Sequence, residues 1–322
     1  MDFKGGNAMR QIEGIVPVML TPMEVEGGLD FVGLERLTDW YLDNNAGTLF
    51  AVCQSSEMQH LTLDERVRLS RHVIAQVQGR VPVVVSGHIA ASLDDQIYEL
   101  RAMAATEPDA LILVTNRLDP DNSGTDALRH NLDRVLTALP ADLPLGLYEC
   151  PAPFRRLLSD EELALCRDTG RFVALKDVSC DLETVARRVQ LTQGSPLNII
   201  NANAAIALSA MRAGSKGFAG VLTNFHCDLY AWMYQNHMVD SDLMRELTVF
   251  LAMAANIEAF GYPRNAKRFH MRQGLFAAED SRVWPEDIRA RFWALDEMFD
   301  HLEAGSAQFR NRIAALDAGQ YE

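Results

Sequence analysis

The chain has 322 residues, 48% of them hydrophobic, and a formal net charge of −14 at pH 7. This length suffices for one large α/β barrel or two smaller domains. The acidic balance argues against a nucleic acid or an anionic membrane as partner. No apolar segment reaches the roughly 18 residues of a membrane span. Five cysteines without a C-x-x-C pair predict reduced thiols and a cytoplasmic location. Residues 1–11 lack a signal-peptide core and are expected to form a flexible leader.

Short apolar runs alternate with amphipathic segments along most of the chain. Apolar spacing and capping residues such as Thr62, Ser92 and Ser159 predict the helices. The predicted strands are 12–20, 47–52, 81–85, 109–114, 144–149, 172–176, 197–201 and 215–221. The predicted helices between them are 30–44, 62–77, 92–105, 124–139, 159–168, 181–191 and 203–213.

Eight strand–helix units in regular alternation predict a parallel sheet covered by helices. Over about 250 residues this pattern matches a (β/α)8 TIM barrel. An open, doubly wound sheet is the alternative, but the turn Leu20-Thr21-Pro22-Met23 after the first strand lacks G-x-G-x-x-G. We expect residues 12–225 to form the barrel. Residues 226–322 should add its last helix and a C-terminal helical extension within the same domain.

Catalytic side chains of such barrels lie at the carboxyl ends of the strands. One of only four lysines, Lys176, ends the apolar run Phe172-Val173-Ala174-Leu175. Burial there lowers an amine pKa, and a neutral amine can attack a carbonyl to form a Schiff base. Tyr148 ends the preceding strand, ~4.8 Å away, where a phenol could transfer protons. The alternatives are a lysine that reaches solvent or pairs with Asp177, and an ordinary core tyrosine.

The loop Cys53-Gln54-Ser55-Ser56-Glu57 follows the second strand and offers hydroxyl and N–H groups that could hold a carboxylate. A plain polar turn before a helix is the alternative. Cys53, Cys150, Cys180 and His88 could also meet near the barrel mouth. Their spacing matches no ligand motif, so the sequence predicts neither a metal nor a cofactor.

These residues together resemble the dihydrodipicolinate synthase / N-acetylneuraminate lyase family. The resemblance rests on Thr21-Pro22, the loop ending in Glu57, Tyr148 with Pro151, and Lys176-Asp177, and it runs from Ile12 to the C-terminus. It implies a (β/α)8 barrel, usually tetrameric, that forms a Schiff base with pyruvate or another 2-oxo acid. By this resemblance Lys176 is the Schiff-base lysine and Tyr148 transfers protons. Ser55 falls where the family has a hydroxyl that relays protons and helps to bind the substrate carboxylate.

The sequence departs from the family pattern at several positions. Cys53, Gln54 and Ser56 stand in a loop that is usually Gly-Ser/Thr-Thr-Gly-Glu, and Glu149 adds a carboxylate after Tyr148. In many members the segment after the fourth strand is Pro-Tyr-Tyr, and this segment contributes a tyrosine to the adjacent subunit. Here that segment is Asn116-Arg117-Leu118, so the usual three-residue proton relay is expected to be incomplete. The position of the distal-carboxylate arginine of true synthases is occupied by Pro153.

The sequence therefore predicts a class I lyase or aldolase that acts on a small 2-oxo acid and is not a working dihydrodipicolinate synthase. Predicted catalytic residues are Lys176, Tyr148 and Ser55; predicted substrate-binding residues are Gln54, Ser56, Ala202 and Arg117. A hydro-lyase acting on a sugar-acid-derived 2-oxo acid and a weakened, ligand-binding member of the fold remain the alternatives. The expected assembly is a homotetramer, or else a dimer.

Overall fold

The computed structural model describes residues 10–25 and 27–319. Most of the predicted leader lies outside these residues. Its last two residues are bound to the barrel instead of being free. The Arg10 guanidinium pairs with Asp109 at 3.2 Å and donates to the carbonyl oxygen of Val81, while Gln11 accepts a hydrogen bond from Asn198. The chain is therefore already bound to the barrel at Arg10, slightly before the predicted boundary.

Eight parallel strands form one sheet in the order β1-β8-β7-β6-β5-β4-β3-β2. Their side chains are almost all buried, because helices cover the outer face and the inner face is packed. The register places Val114 beside Tyr148 and Tyr148 beside Lys176. The strands are β1 (Gly14–Ile15), β2 (Leu49–Val52), β3 (Val83–Val85), β4 (Ala110–Val114), β5 (Leu145–Tyr148), β6 (Phe172–Asp177), β7 (Asn198–Asn201) and β8 (Gly217–Phe218).

The sheet closes where the chain after β1 meets β2. The backbone N–H of Phe50 donates to Pro17, and the N–H of Met19 donates back to Phe50. This pairing supplies the eighth side of the barrel, which confirms the predicted (β/α)8 fold. The first and last strands are shorter than predicted. Pro17 has no N–H to donate, and Gly217 packs so tightly on Gly14 that a side chain could not fit.

The predicted helix caps form as expected. Thr62 and Ser159 each complete a capping box, with Glu65 and Glu162 respectively. The helices are α1 (Phe31–Asp43), α2 (Leu63–Val77), α3 (Leu93–Ala104), α4 (Thr115–Leu118), α5 (Thr125–Ala138), α6 (Asp160–Asp168), α7 (Leu182–Thr192), α8 (Ala207–Arg212), α9 (Thr223–Asn236), α10 (Asp242–Ala254), α11 (Arg264–Arg272) and α12 (Leu295–Asp317).

The C-terminal extension, α10 to α12, packs on the barrel through a continuous apolar core that includes Phe225, Phe269 and Phe299. Between α10 and α11 the chain makes a short 3-10 turn at Ala255–Ala259 and then passes over the barrel mouth. This crossing brings residues 258–263 to the carboxyl ends of the strands. No helix in the described ranges is long and apolar enough to cross a membrane.

Candidate active site

Lys176 lies at the carboxyl end of β6, at the base of a cavity of about 440 Å³. Its ammonium nitrogen lies 4.4 Å from the centroid of the Tyr148 ring and 6.0 Å from that of Phe50. Burial lowers the pKa of Lys176, although nearby Cys53, Cys150 and Glu258 oppose this shift. No ion pair within the described chain fixes this amine. The arrangement favours a neutral, nucleophilic lysine that opens onto the cavity.

Tyr148 ends β5 and lines the same cavity. Its ring packs edge-on against Phe50, with centroids 5.8 Å apart, and its hydroxyl lies 3.4 Å from the Gln54 side-chain oxygen. Burial raises the pKa of Tyr148 well above its usual value. The phenol is therefore protonated in the resting site.

Gln54 and Ser55 are the two residues of the β2 loop whose side chains line the cavity. Their backbone N–H groups make no hydrogen bond to any described part of the chain, so they are available to an anion. Gln54 also accepts from the Cys150 thiol at 3.2 Å. No hydrogen bond joins Tyr148 to Ser55 among the described residues; the tyrosine is paired with Gln54 instead.

Tyr262, which sequence reasoning missed, reaches the cavity from the segment between α10 and α11. Its hydroxyl accepts a hydrogen bond from the Asn224 amide at 2.9 Å, and Ser55 lines the same cavity. Burial raises the pKa of Tyr262, while the Ser55 and Asn224 side chains oppose the shift. The only local signal was an aromatic residue in the Gly261-Tyr262-Pro263 break between two helical segments. Nothing in that pattern says that the break lies over the barrel mouth.

Glu258 is the one acidic side chain among the residues that line the cavity, and Lys176 is the one lysine or arginine. Desolvation raises the pKa of Glu258, while the Lys176 charge opposes this shift. The carboxyl group remains accessible to solvent at the rim of the cavity. The sequence placed this residue in the predicted C-terminal helical extension without indicating that it lies at the cavity.

Glu149 does not face the cavity, although it directly follows Tyr148. Its carboxylate forms a buried ion pair with Arg188 at 2.7 Å and accepts backbone hydrogen bonds from Leu158 and Val178. Arg188 also pairs with Asp177, which directly follows Lys176. One guanidinium therefore ties together the residues that follow the two candidate catalytic side chains.

Glu57 connects the Gln54–Ser55 loop to the C-terminal extension. Its carboxylate pairs with the buried Lys267 of α11 and accepts hydrogen bonds from the Ser281 hydroxyl and the Arg282 backbone N–H. Glu57 itself adopts a left-handed conformation with φ of 61°. This buried ion pair holds the loop against the extension and also occupies the amine of Lys267.

The predicted substrate-binding residues divide into two groups. Gln54 and Ala202 line the cavity, whereas Ser56 and Arg117 do not. The Ser56 hydroxyl is turned into the protein, where it donates to the Met19 carbonyl oxygen at 2.6 Å and accepts from the Cys53 N–H. Arg117 lies in the short helix α4. The predicted substrate contacts of Ser56 and Arg117 therefore gain no support from this cavity.

Other polar candidates at the strand ends have structural partners. His88 accepts the backbone N–H of Val114 at 2.7 Å, and its other ring nitrogen contacts Gln96. Burial lowers the pKa of His88 to about 4. Within the described ranges, no group of three His, Cys, Asp or Glu side chains is arranged to hold a metal ion.

Residues 11–252 match the model of the dihydrodipicolinate synthetase family. The chain belongs to this family. The family comprises class I aldolases and lyases that use pyruvate-type small molecules, so membership supports a lyase. Among individual relatives, the chain is 27% identical over 213 residues to the 4-hydroxy-tetrahydrodipicolinate synthase of Nitrosococcus oceani, covering 66% of this chain and 70% of that one.

Solved structures show the same fold. A monomeric variant of dihydrodipicolinate synthase matches with a TM-score of 0.82 and 18% identity, over 94% of this chain and 99% of that one. Dihydrodipicolinate synthase from Thermotoga maritima matches with a TM-score of 0.79 and 19% identity, over 92% and 99% of the two chains. Both matches cover more than nine-tenths of this chain, so the shared fold includes most of the C-terminal extension.

Proposed function

We propose that the protein is a class I lyase in which Lys176 forms a Schiff base with a 2-oxo acid of the pyruvate type. The observation that carries the proposal is the unpaired, desolvated Lys176 amine beside the Tyr148 ring in one cavity. Desolvation supplies a neutral amine, and Tyr148 supplies a proton within reach of the same carbon. The reaction is the cleavage, or the formation, of a carbon–carbon bond.

The first half of the reaction forms the Schiff base. The Lys176 lone pair attacks C2 of the 2-oxo acid, and a proton moves from nitrogen to the carbonyl oxygen to give a carbinolamine. Tyr148 then gives its proton to the departing hydroxyl, which leaves as water. An iminium cation and a Tyr148 phenolate remain, and the two charges stabilise each other in this buried site.

The second half breaks the bond between C3 and C4. The Tyr148 phenolate takes the proton of the C4 hydroxyl, the C3–C4 electron pair moves toward the iminium, and an aldehyde is released while the enamine stays bound to Lys176. Protonation of the enamine at C3 and addition of water return pyruvate and the free lysine. Tyr148 thus acts as acid first and as base afterwards, which agrees with its raised pKa in the resting site.

The substrate carboxylate is assigned to the loop after β2. The free backbone N–H groups of Gln54 and Ser55 can donate to a carboxylate while its carbonyl carbon faces Lys176. Ser56, which the sequence predicts to bind the substrate, instead stabilises the loop by donating a hydrogen bond to the buried Met19 carbonyl oxygen.

The far end of the substrate carries no second carboxylate in this proposal. The cavity lining contains no arginine, and Glu258 would repel a second anion. Arg155 donates to the carbonyl oxygens of Val178 and Ser179, and Arg156 is buried in ion pairs with acidic side chains. Uncharged groups of Gln59 and Asn203 line the cavity and suit a hydroxylated tail. The protein is therefore not expected to be a working dihydrodipicolinate synthase.

One observation favours a second reaction at the same site. Glu258 lines the same cavity as Lys176, and its raised pKa makes its carboxylate a better base that can take up a proton and pass it to a departing hydroxyl group. A hydro-lyase acting on a sugar-acid-derived 2-oxo acid would use the same Schiff base and eliminate water from the enamine. A hydroxylated substrate fits both reactions.

The proposal can be tested without knowing the aldehyde. An enamine exchanges the methyl protons of pyruvate with solvent, so protein in D₂O should remove the methyl signal from the proton NMR spectrum. Lys176→Ala should abolish this exchange. Lys216→Ala is the matched control, because Lys216 is exposed and lies outside the cavity. No exchange by the parent protein would contradict the proposal and would favour a ligand-binding role for the fold.

A further inference from the structure

We propose that Tyr262 is a proton-transfer residue of this site, that it works as a pair with Ser55, and that the same chain supplies both. The inference rests on the proposed Schiff-base function. The sequence predicts an incomplete relay, because Asn116-Arg117-Leu118 offers no tyrosine to an adjacent subunit. The inference differs from that expectation. The hydroxyl comes instead from the segment that crosses the barrel mouth.

The hydrogen bonds around Tyr262 leave its proton without an acceptor among the described residues. Its oxygen accepts from the Asn224 amide nitrogen, so that bond does not use the phenol proton. The Asn224 side-chain oxygen accepts from Tyr41, and this fixes which end of the amide faces Tyr262. Ser55 lines the same cavity as Tyr262, so its hydroxyl oxygen is the acceptor that we assign to the phenol proton.

A balanced proton transfer follows from this arrangement. Ser55 gives its hydroxyl proton to an oxygen of the bound molecule, and the Tyr262 proton moves to the Ser55 oxygen. The phenolate left on Tyr262 is stabilised by the Asn224 N–H. The reverse transfer restores both hydroxyls, so no other reactant is needed.

In this proposal Tyr148 and Tyr262 share the proton transfers, and each acts next to a different residue of the loop after β2. Tyr148 is hydrogen-bonded to Gln54, whereas the proposed partner of Tyr262 is Ser55. The two phenols also interact electrostatically, since Tyr262 contributes to the raised pKa of Tyr148. Asn224 and Tyr41 are positioning residues, because an amide side chain holds the phenol without carrying its proton.

The test compares Tyr262→Phe with Tyr230→Phe, which removes another buried phenol. Tyr230 stacks on Phe218 at 4.2 Å, and its hydroxyl has no partner among the described residues. Tyr262→Phe should slow methyl-proton exchange of pyruvate by about 10²-fold, while borohydride still traps pyruvate to the same end point. Tyr230→Phe should change neither. Equal exchange by Tyr262→Phe and the parent protein would overturn the inference; absence of exchange and trapping in the parent would instead reject the proposed function.

Two further measurements separate proton transfer from a structural effect. If Ser55 and Tyr262 act as a unit, Ser55→Ala combined with Tyr262→Phe should be no slower than the slower single variant. Multiplicative losses would contradict the pairing. Subunits carrying Lys176→Ala should be co-expressed with subunits carrying Tyr262→Phe. Methyl-proton exchange should not be restored in this mixture, whether the subunits assemble or purify as monomers. Restored exchange would show that Tyr262 serves a neighbouring subunit.

Discussion

The Lys176 ammonium nitrogen lies 4.4 Å from the centroid of the Tyr148 ring, on adjacent strands whose register places the two residues side by side. An amine that attacks a carbonyl and a phenol that protonates the resulting hydroxyl must both reach one carbon atom. The register of β5 and β6 places the two side chains close enough to meet that requirement.

Replacing Tyr148 with phenylalanine should separate the two roles of the site. Tyr148→Phe keeps the ring that packs on Phe50 but removes the proton donor. General acid–base groups contribute about 10²–10⁴-fold, so methyl-proton exchange should fall by that factor, measured by NMR. Borohydride trapping should continue at a reduced rate. An unchanged exchange rate would exclude Tyr148 from proton transfer.

The acid limb of the pH profile should follow the Lys176 amine. Schiff-base formation needs the neutral amine, so its rate falls as the pH drops below the Lys176 pKa. Since burial lowers this pKa, the rate should persist to lower pH than an ordinary lysine would allow. Glu258 opposes the shift, so Glu258→Gln should lower the pKa further and move the acid limb to lower pH. If the acid limb of the trapping rate in Glu258→Gln moved to higher pH instead, the result would contradict this electrostatic arrangement.

The strands and the two principal candidates could be predicted from sequence because they depend on local pattern. A lysine that ends a short apolar run reaches the carboxyl end of a buried strand whatever the distant chain does. Tyr262 and Glu258 could not be placed in this way, since tertiary packing alone brings residues 258–263 over the mouth. The inward turn of the Ser56 hydroxyl could not be predicted either, because a hydroxyl in a polar loop can equally face solvent or satisfy backbone groups.

The Arg188 network should contribute more to stability than a surface ion pair of the same type. Arg188→Leu leaves Glu149 and Asp177 buried without a cation, and loss of one partner of a buried pair costs about 3–5 kcal/mol. Arg187→Leu is the matched control on the same helix, because its pair with Asp160 is exposed and should cost at most about 1 kcal/mol. Urea unfolding measures both, and equal losses of unfolding free energy would contradict the assigned role.

The absence of an arginine from the cavity lining predicts weak synthase activity. Condensation of pyruvate with aspartate semialdehyde requires recognition of a second carboxylate, which Glu258 would repel. In a coupled assay, kcat/KM should lie below ~10⁴ M⁻¹s⁻¹, the lower end of ordinary enzyme values. Glu258→Gln should weaken the repulsion and lower KM. A parent enzyme with kcat/KM above that value would refute the proposed substrate preference.

The most direct test of the proposed mechanism is borohydride reduction with pyruvate, followed by intact-mass analysis and peptide mapping. We expect one reduced pyruvate adduct per chain at Lys176, and none in Lys176→Ala. Lys267 is the strictest internal comparison, because it is also buried but its amine is paired with Glu57 and lies outside the cavity. An adduct at Lys216 or Lys267, or no adduct at any lysine, would contradict the account.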